Sequence, residues 1–125
     1  MTRTFDAIII GAGQAGPSLA GRLTRAGKSV ALIERKLTGG TCVNTGCTPT
    51  KMLVASAYVA YLARRAAEYG LTIGGPVGVD MKAVKARKDA VLGRSRIGLE
   101  AWLKGMANCT VLKLLPQELL PPEHR

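Results

Sequence analysis

The sequence predicts an α/β fold built on a parallel sheet, and three observations support that prediction. Residues 5–10 (FDAIII) form a short β-branched run bounded by glycine, which is typical of a buried strand. Residues 17–27 then show helical spacing, and residues 29–34 (SVALIE) form a second apolar run. A strand, a helix and a strand in this order form a parallel pair joined by a right-handed crossover.

The first helix is indicated by its apolar spacing and by the residues at its ends. Leu19, Leu23 and Ala26 recur at intervals of four and three residues, as the apolar face of a helix does. Pro17 fits near the helix start, where backbone N–H groups have no partner within the helix. Gly27 fits just beyond the helix end. We therefore expect one helix between the two strands.

A second helix is expected after a loop. The loop is rich in glycine and threonine and covers residues 38–47. Thr48 then fits as the cap of a helix that begins at Pro49, reaches about Tyr69 and stops at Gly70. The apolar stripe of this helix consists of Leu53, Ala57, Ala60 and Tyr61.

The last third of the chain predicts one more helix, a strand and a tail. Asp80 can cap a helix running to about Met106, and residues 108–114 then have the apolar, β-branched character of a strand. The apolar face of this helix consists of Leu92, Leu99, Trp102, Leu103 and Met106. Three prolines exclude regular structure across the end of the chain. The expected organisation is one partial domain at 1–113 followed by an irregular tail at 114–125.

The composition indicates a globular chain. Hydrophobic residues make up 47% of the 125 residues and charged residues 21%, so one domain with a core is expected. No apolar run approaches the roughly 18–20 residues that span a bilayer, and the N-terminus lacks the features of a secretory signal. These observations predict a cytoplasmic protein without a membrane partner.

The net charge of +10 raises the question of a nucleic-acid partner. Many of the 18 basic residues lie between residues 64 and 104, and a basic helix can bind nucleic acid. However, no helix-turn-helix or zinc-finger pattern accompanies the charge, and aromatic residues are only 4%. We therefore expect a solvated helix face, or a surface that meets the rest of a larger protein, and no nucleic acid.

A glycine-rich turn follows the first strand and indicates a dinucleotide site. Gly11, Gly13 and Gly16 form G-x-G-x-x-G, which permits a tight turn, close approach of a pyrophosphate, and close helix–strand packing. The free N–H groups of the next helix favour phosphate. Glu34, at the end of the second strand, can accept hydrogen bonds from ribose hydroxyls. FAD and NAD both satisfy this motif, and the alternative is a glycine turn beside a surface glutamate.

Two of the three cysteines, Cys42 and Cys47, lie five positions apart. In a regular helix they would be about 140° apart around the axis and about 7.5 Å apart along it. A disulfide needs Cα atoms within about 4.4–6.8 Å, so a bonded pair requires a distorted segment. Residues 44–46 (NTG) permit such distortion. The dipole of the helix from Pro49, together with Lys51, can favour a thiolate here.

Three alternatives exist for these cysteines. A zinc site needs four ligands, and Cys109 and His124 are the remaining candidates, at irregular spacing. The two cysteines can also be unrelated buried thiols, or they can bind a soft metal ion such as Hg(II). Cys109 fits best as a core residue of the last strand, and His124 as a solvated residue.

Together, GAGQAG, the IE pair ending the second strand, and GGTCVNTGCTPTK resemble the FAD domain of the pyridine nucleotide–disulfide oxidoreductases. This family includes dihydrolipoyl dehydrogenase, glutathione reductase and mercuric reductase, and the resemblance covers residues 5–112. It implies a Rossmann-like domain with part of a parallel sheet. The FAD-binding residues that it implies are Gly11, Gly13, Gly16, Glu34, Gly40, Thr41, Cys47 and Lys51.

The resemblance also implies catalytic roles for three residues. Cys42 and Cys47 would form the redox-active disulfide beside the flavin, with Cys42 attacking the disulfide substrate. Cys47 would lie against the flavin as the charge-transfer thiolate, and Lys51 would lie near flavin N5. Electrons would pass from NAD(P)H through FAD to the dithiol and then to a small disulfide or a metal ion. The motif favours the mercuric-reductase-like or dihydrolipoyl-dehydrogenase-like branch.

Family members are several times longer than this chain and are homodimers. A second G-x-G-x-x-G for NAD(P)H is absent from the sequence, and His124 does not stand where the family places its His–Glu pair. The resemblance therefore implies an N-terminal portion, as from a truncated or frameshifted gene. Such a portion would be a catalytically incomplete FAD-binding fragment when isolated. Nothing in these residues selects lipoamide, glutathione or mercury as the substrate.

Overall fold

A computed structural model describes residues 3–113 and shows an α/β unit around a three-stranded parallel sheet. The elements are β1 (Ala7–Ile10), α1 (Ala15–Arg25), β2 (Val30–Ile33), α2 (Gly40–Asn44), α3 (Cys47–Arg64), α4 (Met81–Lys104) and β3 (Cys109–Leu112), with a 3₁₀ helix at Ala66–Tyr69. The predicted tail at 114–125, including His124, lies outside the described residues. Within residues 3–113, no helix is both long and apolar enough to cross a membrane.

The sheet has the order β1-β2-β3, and both strand pairs are parallel. Val30 is opposite Ala7 on one side and Cys109 on the other. The carboxyl ends of the three strands therefore lie along one edge of the sheet. Gly11, Glu34 and Lys113 each follow directly after one of these ends, and ligands of open parallel sheets bind at such an edge.

One face of the sheet carries the hydrophobic core. Ile9 and Leu32 pack there with Ala20 of α1 and Leu103 of α4. Leu32 is 0% exposed and Leu103 1% exposed. Burial of a leucine side chain contributes about 1.5–3 kcal/mol, so this layer anchors both helices to the strands.

The opposite face is open at β1, which corrects the prediction of a fully buried first strand. Successive side chains of a strand point to opposite faces. Ile9 is buried, whereas Ile8 is 64% exposed and Ile10 is 77% exposed. The apolar run was read correctly as a strand, but the core helices cover only the face that carries Ile9.

Helix α1 begins at Ala15, and its buried face differs from the predicted stripe. Leu19 is 49% exposed, because the buried positions are Gly16, Pro17, Ala20 and Gly21. A Cβ built on Gly21 would lie 3.2 Å from Cζ2 of Trp102 in α4. Small residues on this face let the helix pack closely, which a pattern of large apolar residues does not reveal.

Helices α3 and α4 pack against each other, and their ends differ in part from the prediction. α3 begins at Cys47 rather than Pro49, so Pro49 is its third residue. The first four N–H groups of a helix have no partner within it, so the missing N–H of Pro49 costs no intrahelical hydrogen bond. Thr48 therefore lies inside the helix and does not cap it. α3 ends at Arg64, and the 3₁₀ helix continues to Tyr69. No residue of α3 is fully buried, including its predicted apolar stripe.

The start of α4 agrees with the prediction. The Asp80 side chain accepts hydrogen bonds from the N–H groups of Lys82 and Ala83 at 2.8 and 3.1 Å. The helix ends at Lys104, two residues earlier than expected. Of its predicted apolar face, Leu103 is buried and Trp102 is 49% exposed.

Candidate functional site

A tight glycine turn joins β1 to α1. Gly11 has φ = 104°, and its N–H donates to the carbonyl of Ile33 at 2.7 Å. A Cβ on Gly16 would lie only 2.0 Å from the Gly11 carbonyl oxygen, so helix and turn make the close contact expected from the sequence. By contrast, nothing lies within 4 Å of a Cβ on Gly11 or Gly13. This open space lies before the N-terminus of α1, where Gln14 provides no side-chain cap.

Ala12 links this turn to the end of β2. It is fully buried, and its N–H donates to Oε2 of Glu34 at 2.8 Å. The other carboxylate oxygen, Oε1, accepts the N–H of Lys36 at 2.8 Å. Glu34, predicted as a ribose acceptor, therefore also supports the backbone of the turn, and the sequence motif did not reveal this second role.

The segment that carries the thiols contacts the same turn. The N–H of Gly39 donates to the carbonyl of Ala12 at 2.8 Å. Gly40 has φ = 60°, and a Cβ there would lie 2.9 Å from Cα of Gly13. The structure thus brings the two glycine-rich motifs of the sequence into backbone contact, although 27 positions separate Gly13 from Gly40.

The predicted loop at 38–47 contains the short helix α2, which corrects the prediction. The Asn44 side chain closes this helix, since Nδ2 donates to the carbonyls of Gly40 at 2.9 Å and Thr38 at 3.1 Å. The N–H groups of Thr45 and Gly46 both donate to the carbonyl of Thr41. Glycine, threonine and asparagine have low helix propensity, so the sequence did not indicate a helix stabilised by these side-chain contacts.

The two predicted redox cysteines lie on either side of this break. Cys42 belongs to α2, and Cys47 is the first residue of α3. Both are free thiols in this structure, Cys42 half-buried and Cys47 exposed. Cys47 is the largest influence on the pKa of Cys42, so the two side chains are neighbours. The interruption at residues 45–46 is the distortion that a close cysteine pair requires.

Opposing influences act on the pKa of the Cys42 thiol. The hydrogen bond with Cys47 raises the pKa of the Cys42 thiol, and desolvation raises it further. The positive charge of Lys51 lowers this pKa, as expected, but it is the smallest of the influences. Cys47 and desolvation therefore favour the protonated Cys42 thiol, Lys51 favours the thiolate as predicted, and the effect of the α3 dipole stays a prediction.

The third cysteine is separate from this pair. Cys109 lies on β3, and burial raises its pKa. Among residues 3–113, no three histidine, cysteine or acidic side chains are grouped so that they can hold a metal ion. The zinc alternative, which needed Cys109 beside the pair, therefore has no support in the described part of the chain.

A cleft of about 390 Å³ lies beside α2. It is lined by Glu34, Arg35, Lys36, Leu37, Gly40, Thr41, Asn44 and Thr45. Its volume lies within the roughly 300–1,000 Å³ of small-molecule sites. The cleft therefore places Glu34 and the start of α2, both predicted as binding residues, on one concave surface.

Comparison with known proteins identifies the family. The profile of the Pyridine nucleotide-disulphide oxidoreductase family matches residues 5–113. Dihydrolipoyl dehydrogenase of Chlamydia muridarum is 40% identical over 104 residues, which are 83% of this chain and 22% of that protein. The same enzyme of Acholeplasma laidlawii is 35% identical over 104 residues, 83% of this chain and 31% of that protein.

Solved structures lead to the same family. The HOCl-induced flavoprotein disulfide reductase RclA from Escherichia coli, as its Cu(II) complex, superposes with a TM-score of 0.71 at 34% identity. The superposition covers 89% of this chain and 22% of RclA. The chain thus spans between about a fifth and a third of the length of these relatives. Because the family profile matches residues 5–113, most of the chain, the chain belongs to the pyridine nucleotide-disulphide oxidoreductase family.

Proposed function

We propose that this chain is the FAD-binding and dithiol-bearing portion of an NAD(P)H-dependent disulfide oxidoreductase. The observation that carries the proposal is the backbone contact between the glycine turn and the thiol segment. Gly39 is bonded to Ala12, and Gly40 touches Gly13. A dinucleotide bound on the turn would therefore lie beside the segment that carries Cys42.

The residues present fit FAD. The open space at Gly11 and Gly13 lets a pyrophosphate approach the backbone and the free N–H groups of α1. Gly16 keeps α1 against the turn, and Gly40 and Thr41 would border the phosphates. Glu34 uses one lone pair on each oxygen for the backbone, so its carboxylate can still accept ribose hydroxyls. Bound FAD would supply two-electron transfer between NAD(P)H and the dithiol.

The thiol pair would carry the electrons to substrate. The Cys42 thiolate would attack a substrate disulfide, forming a mixed disulfide and releasing one substrate thiolate. Cys47 would then attack the Cys42 sulfur, releasing the second thiol and leaving a Cys42–Cys47 disulfide. Lys51, one turn after Cys47 on α3, would lie near the flavin, on the side of the thiol pair that faces it.

The first step needs a proton acceptor for Cys42. Its pKa is raised by the hydrogen bond with Cys47 and by desolvation, and residues 3–113 contain no histidine. We place that base outside the described part of the chain, in the remainder of a full-length homodimeric enzyme. We propose a cytoplasmic location, because a thiol pair that cycles between dithiol and disulfide needs a compartment in which thiols are kept reduced.

The substrate is proposed as a small-molecule disulfide, since RclA is named a disulfide reductase. The relatives named dihydrolipoyl dehydrogenase act on the dithiol form of such a couple, which is the same exchange in the opposite direction. A soft metal ion, such as mercury, is the alternative for two adjacent thiols. The RclA structure is described as a Cu(II) complex, which supports testing metals on this chain. If alkylation of both thiols leaves Hg(II) binding intact, the metal alternative is wrong.

A second candidate is an incomplete FAD-binding module, and the open face of β1 favours it. Ile8 and Ile10 expose apolar surface that a parallel sheet normally buries. The isolated chain would then bind FAD weakly or only together with further polypeptide, and it would turn over nothing. NAD(P)H oxidation by the purified chain would contradict this candidate.

Absorbance spectroscopy tests the first proposal. The purified chain, incubated with FAD and freed of excess, should be yellow, and anaerobic reduction should produce a long-wavelength band. Cys47→Ser should abolish this band, whereas the matched control Cys109→Ser should retain it. A band that is unchanged in Cys47→Ser would show that the roles of the thiols are wrongly assigned.

A further inference from the structure

A buried threonine at the start of the thiol segment belongs to a small polar cluster. Thr38 is 1% exposed. Its Oγ1 accepts a hydrogen bond from Nζ of Lys113 at 3.4 Å, and the same Nζ contacts Oε1 of Glu100 at 3.0 Å. Hydrogen bonds from Lys113 and then from Thr38 lower the pKa of Glu100. We call these three residues the Thr38 cluster.

The backbone around Thr38 branches to both halves of the proposed site. The Thr38 carbonyl accepts Nδ2 of Asn44, which closes α2 between the two cysteines. The next N–H, that of Gly39, donates to Ala12 inside the glycine turn. Thr38 is therefore linked to the dinucleotide turn through the hydrogen bond of its neighbour Gly39, and to the thiol segment through its own carbonyl.

The ion pair alone does not explain the cluster. The Lys113 side chain is 52% exposed and the Glu100 side chain 29%, and exposed pairs of this kind contribute only about 0–1 kcal/mol. What distinguishes this pair is the buried hydroxyl that it holds. A valine would fill the same volume as Thr38, so the hydroxyl is not needed for packing. Its hydrogen bond with Lys113 instead fixes the orientation of Thr38. Glu100 on α4 and Lys113 after β3 connect that orientation to the rigid sheet.

We propose that the Thr38 cluster sets the position of the thiol pair relative to the dinucleotide turn. Glu100 and Lys113 fix Thr38, and Thr38 fixes Asn44 and Gly39. All three cluster members are thus positioning residues, since they act through the backbone of 38–44. The inference rests on the proposed FAD and dithiol function, and it adds a link to α4 and β3 that the motifs do not contain.

The test compares single substitutions in the full chain. Thr38→Val removes the hydroxyl at constant volume, and Thr38→Ser restores it. Thr24→Val is the matched control, because the Thr24 hydroxyl bonds only within α1, to the carbonyls of Ala20 at 3.0 Å and Gly21 at 3.4 Å. Glu100→Gln tests the cluster while residue 38 itself stays a threonine.

Two quantities are measured for each variant. The first is the dissociation constant of FAD, from quenching of flavin fluorescence. The second is the equilibrium constant for the reaction in which the Cys42–Cys47 dithiol and one glutathione disulfide give the intramolecular disulfide and two glutathione thiols. Mass spectrometry after acid quenching reads this second equilibrium without any flavin.

Thr38→Val is expected to weaken FAD binding at least about fivefold. It should also lower the glutathione equilibrium constant at least about threefold, because a looser segment presents Cys47 to Cys42 less often. Thr38→Ser should stay near the parent, and Glu100→Gln should shift both quantities in the direction of Thr38→Val. Thr24→Val should change neither.

The proposal is overturned if Thr38→Val, or Glu100→Gln should the valine variant not fold, leaves the glutathione equilibrium at the parent value. A parent chain that binds no FAD would instead contradict the proposed function. The thiol measurement would still decide the role of the cluster, so the two failures are distinguishable.

Discussion

Replacing Glu34 by alanine tests the double role of its carboxylate most directly. The substitution removes the acceptor for two backbone N–H groups, those of Ala12 and Lys36. Ala12 is 0% exposed, whereas Lys36 is exposed. Water can therefore replace the carboxylate at Lys36 but not at Ala12.

The magnitude follows from this difference. A buried donor left without an acceptor costs about 1–3 kcal/mol, and the exposed N–H of Lys36 adds little. We expect Glu34→Ala to lower the free energy of unfolding by about 2–3 kcal/mol. Glu34→Gln keeps one carbonyl oxygen that can turn to Ala12, so it should cost about 1 kcal/mol.

Urea unfolding followed by circular dichroism measures these free energies, without FAD at pH 7. The matched control is Glu68→Ala, because Glu68 pairs with Arg65 on the surface and its side chain is 54% exposed. That control should change stability much less than Glu34→Ala, because exposed ion pairs contribute little. If Glu34→Ala and Glu68→Ala lower the free energy of unfolding equally, the Glu34 carboxylate does not support the turn. If Glu34→Gln lowers the free energy of unfolding as much as Glu34→Ala, the hydrogen bond from the Ala12 N–H to the Glu34 side-chain oxygen is not the source of the stabilisation.

Three further predictions concern the turn, acid stability and the thiols. Gly16→Ala would place a Cβ 2.0 Å from the Gly11 carbonyl oxygen, so the unfolding free energy should fall by about 3 kcal/mol or more; a stable variant would contradict the close contact. Hydrogen bonds from the Ser29 N–H and hydroxyl lower the pKa of Asp6 below its ordinary 3.8, so their stabilisation is present above pH 3.8 and is lost as the pH falls through the lowered value. Asp6→Asn should make the free energy of unfolding, measured in urea, depend less on pH below pH 3.8. An unchanged pH dependence would count against these hydrogen bonds. Cys47→Ala removes the partner that raises the pKa of Cys42, so iodoacetamide should label Cys42 faster below pH 9, by mass spectrometry; slower labelling would refute that cause.

Much of the fold could be predicted because its signals are local. The apolar runs at 5–10 and 29–34 indicated strands, and their separation by a helix indicated a parallel pair, which the structure confirms. Asp80 was identified as a cap because its carboxylate needs only the next few N–H groups. In contrast, the exposure of Ile8 and Ile10 depends on which face other elements cover, and no local pattern records that.

The candidate site divides in the same way. The residue types and spacing of G-x-G-x-x-G predict a dinucleotide site, and the family resemblance of the cysteine segment predicts a redox pair; the roles of the individual residues stay predictions. The helix α2 was missed, because Asn44 stabilises it through side-chain hydrogen bonds to the carbonyls of Gly40 and Thr38. The raised pKa of Cys42 was missed because it comes mainly from a neighbouring thiol.

By itself the sequence determined the strand–turn–helix unit, the identity of the chemical groups and the family they indicate. Glycine spacing and apolar runs act over a few residues, so their consequences can be read in order along the chain. Only the tertiary structure decided that Gly40 touches Gly13, that Glu34 bonds Ala12, and that Lys113 and Glu100 reach Thr38. These contacts join residues from 22 to 75 positions apart, and their energies depend on short distances that exist only after the strands and helices have packed.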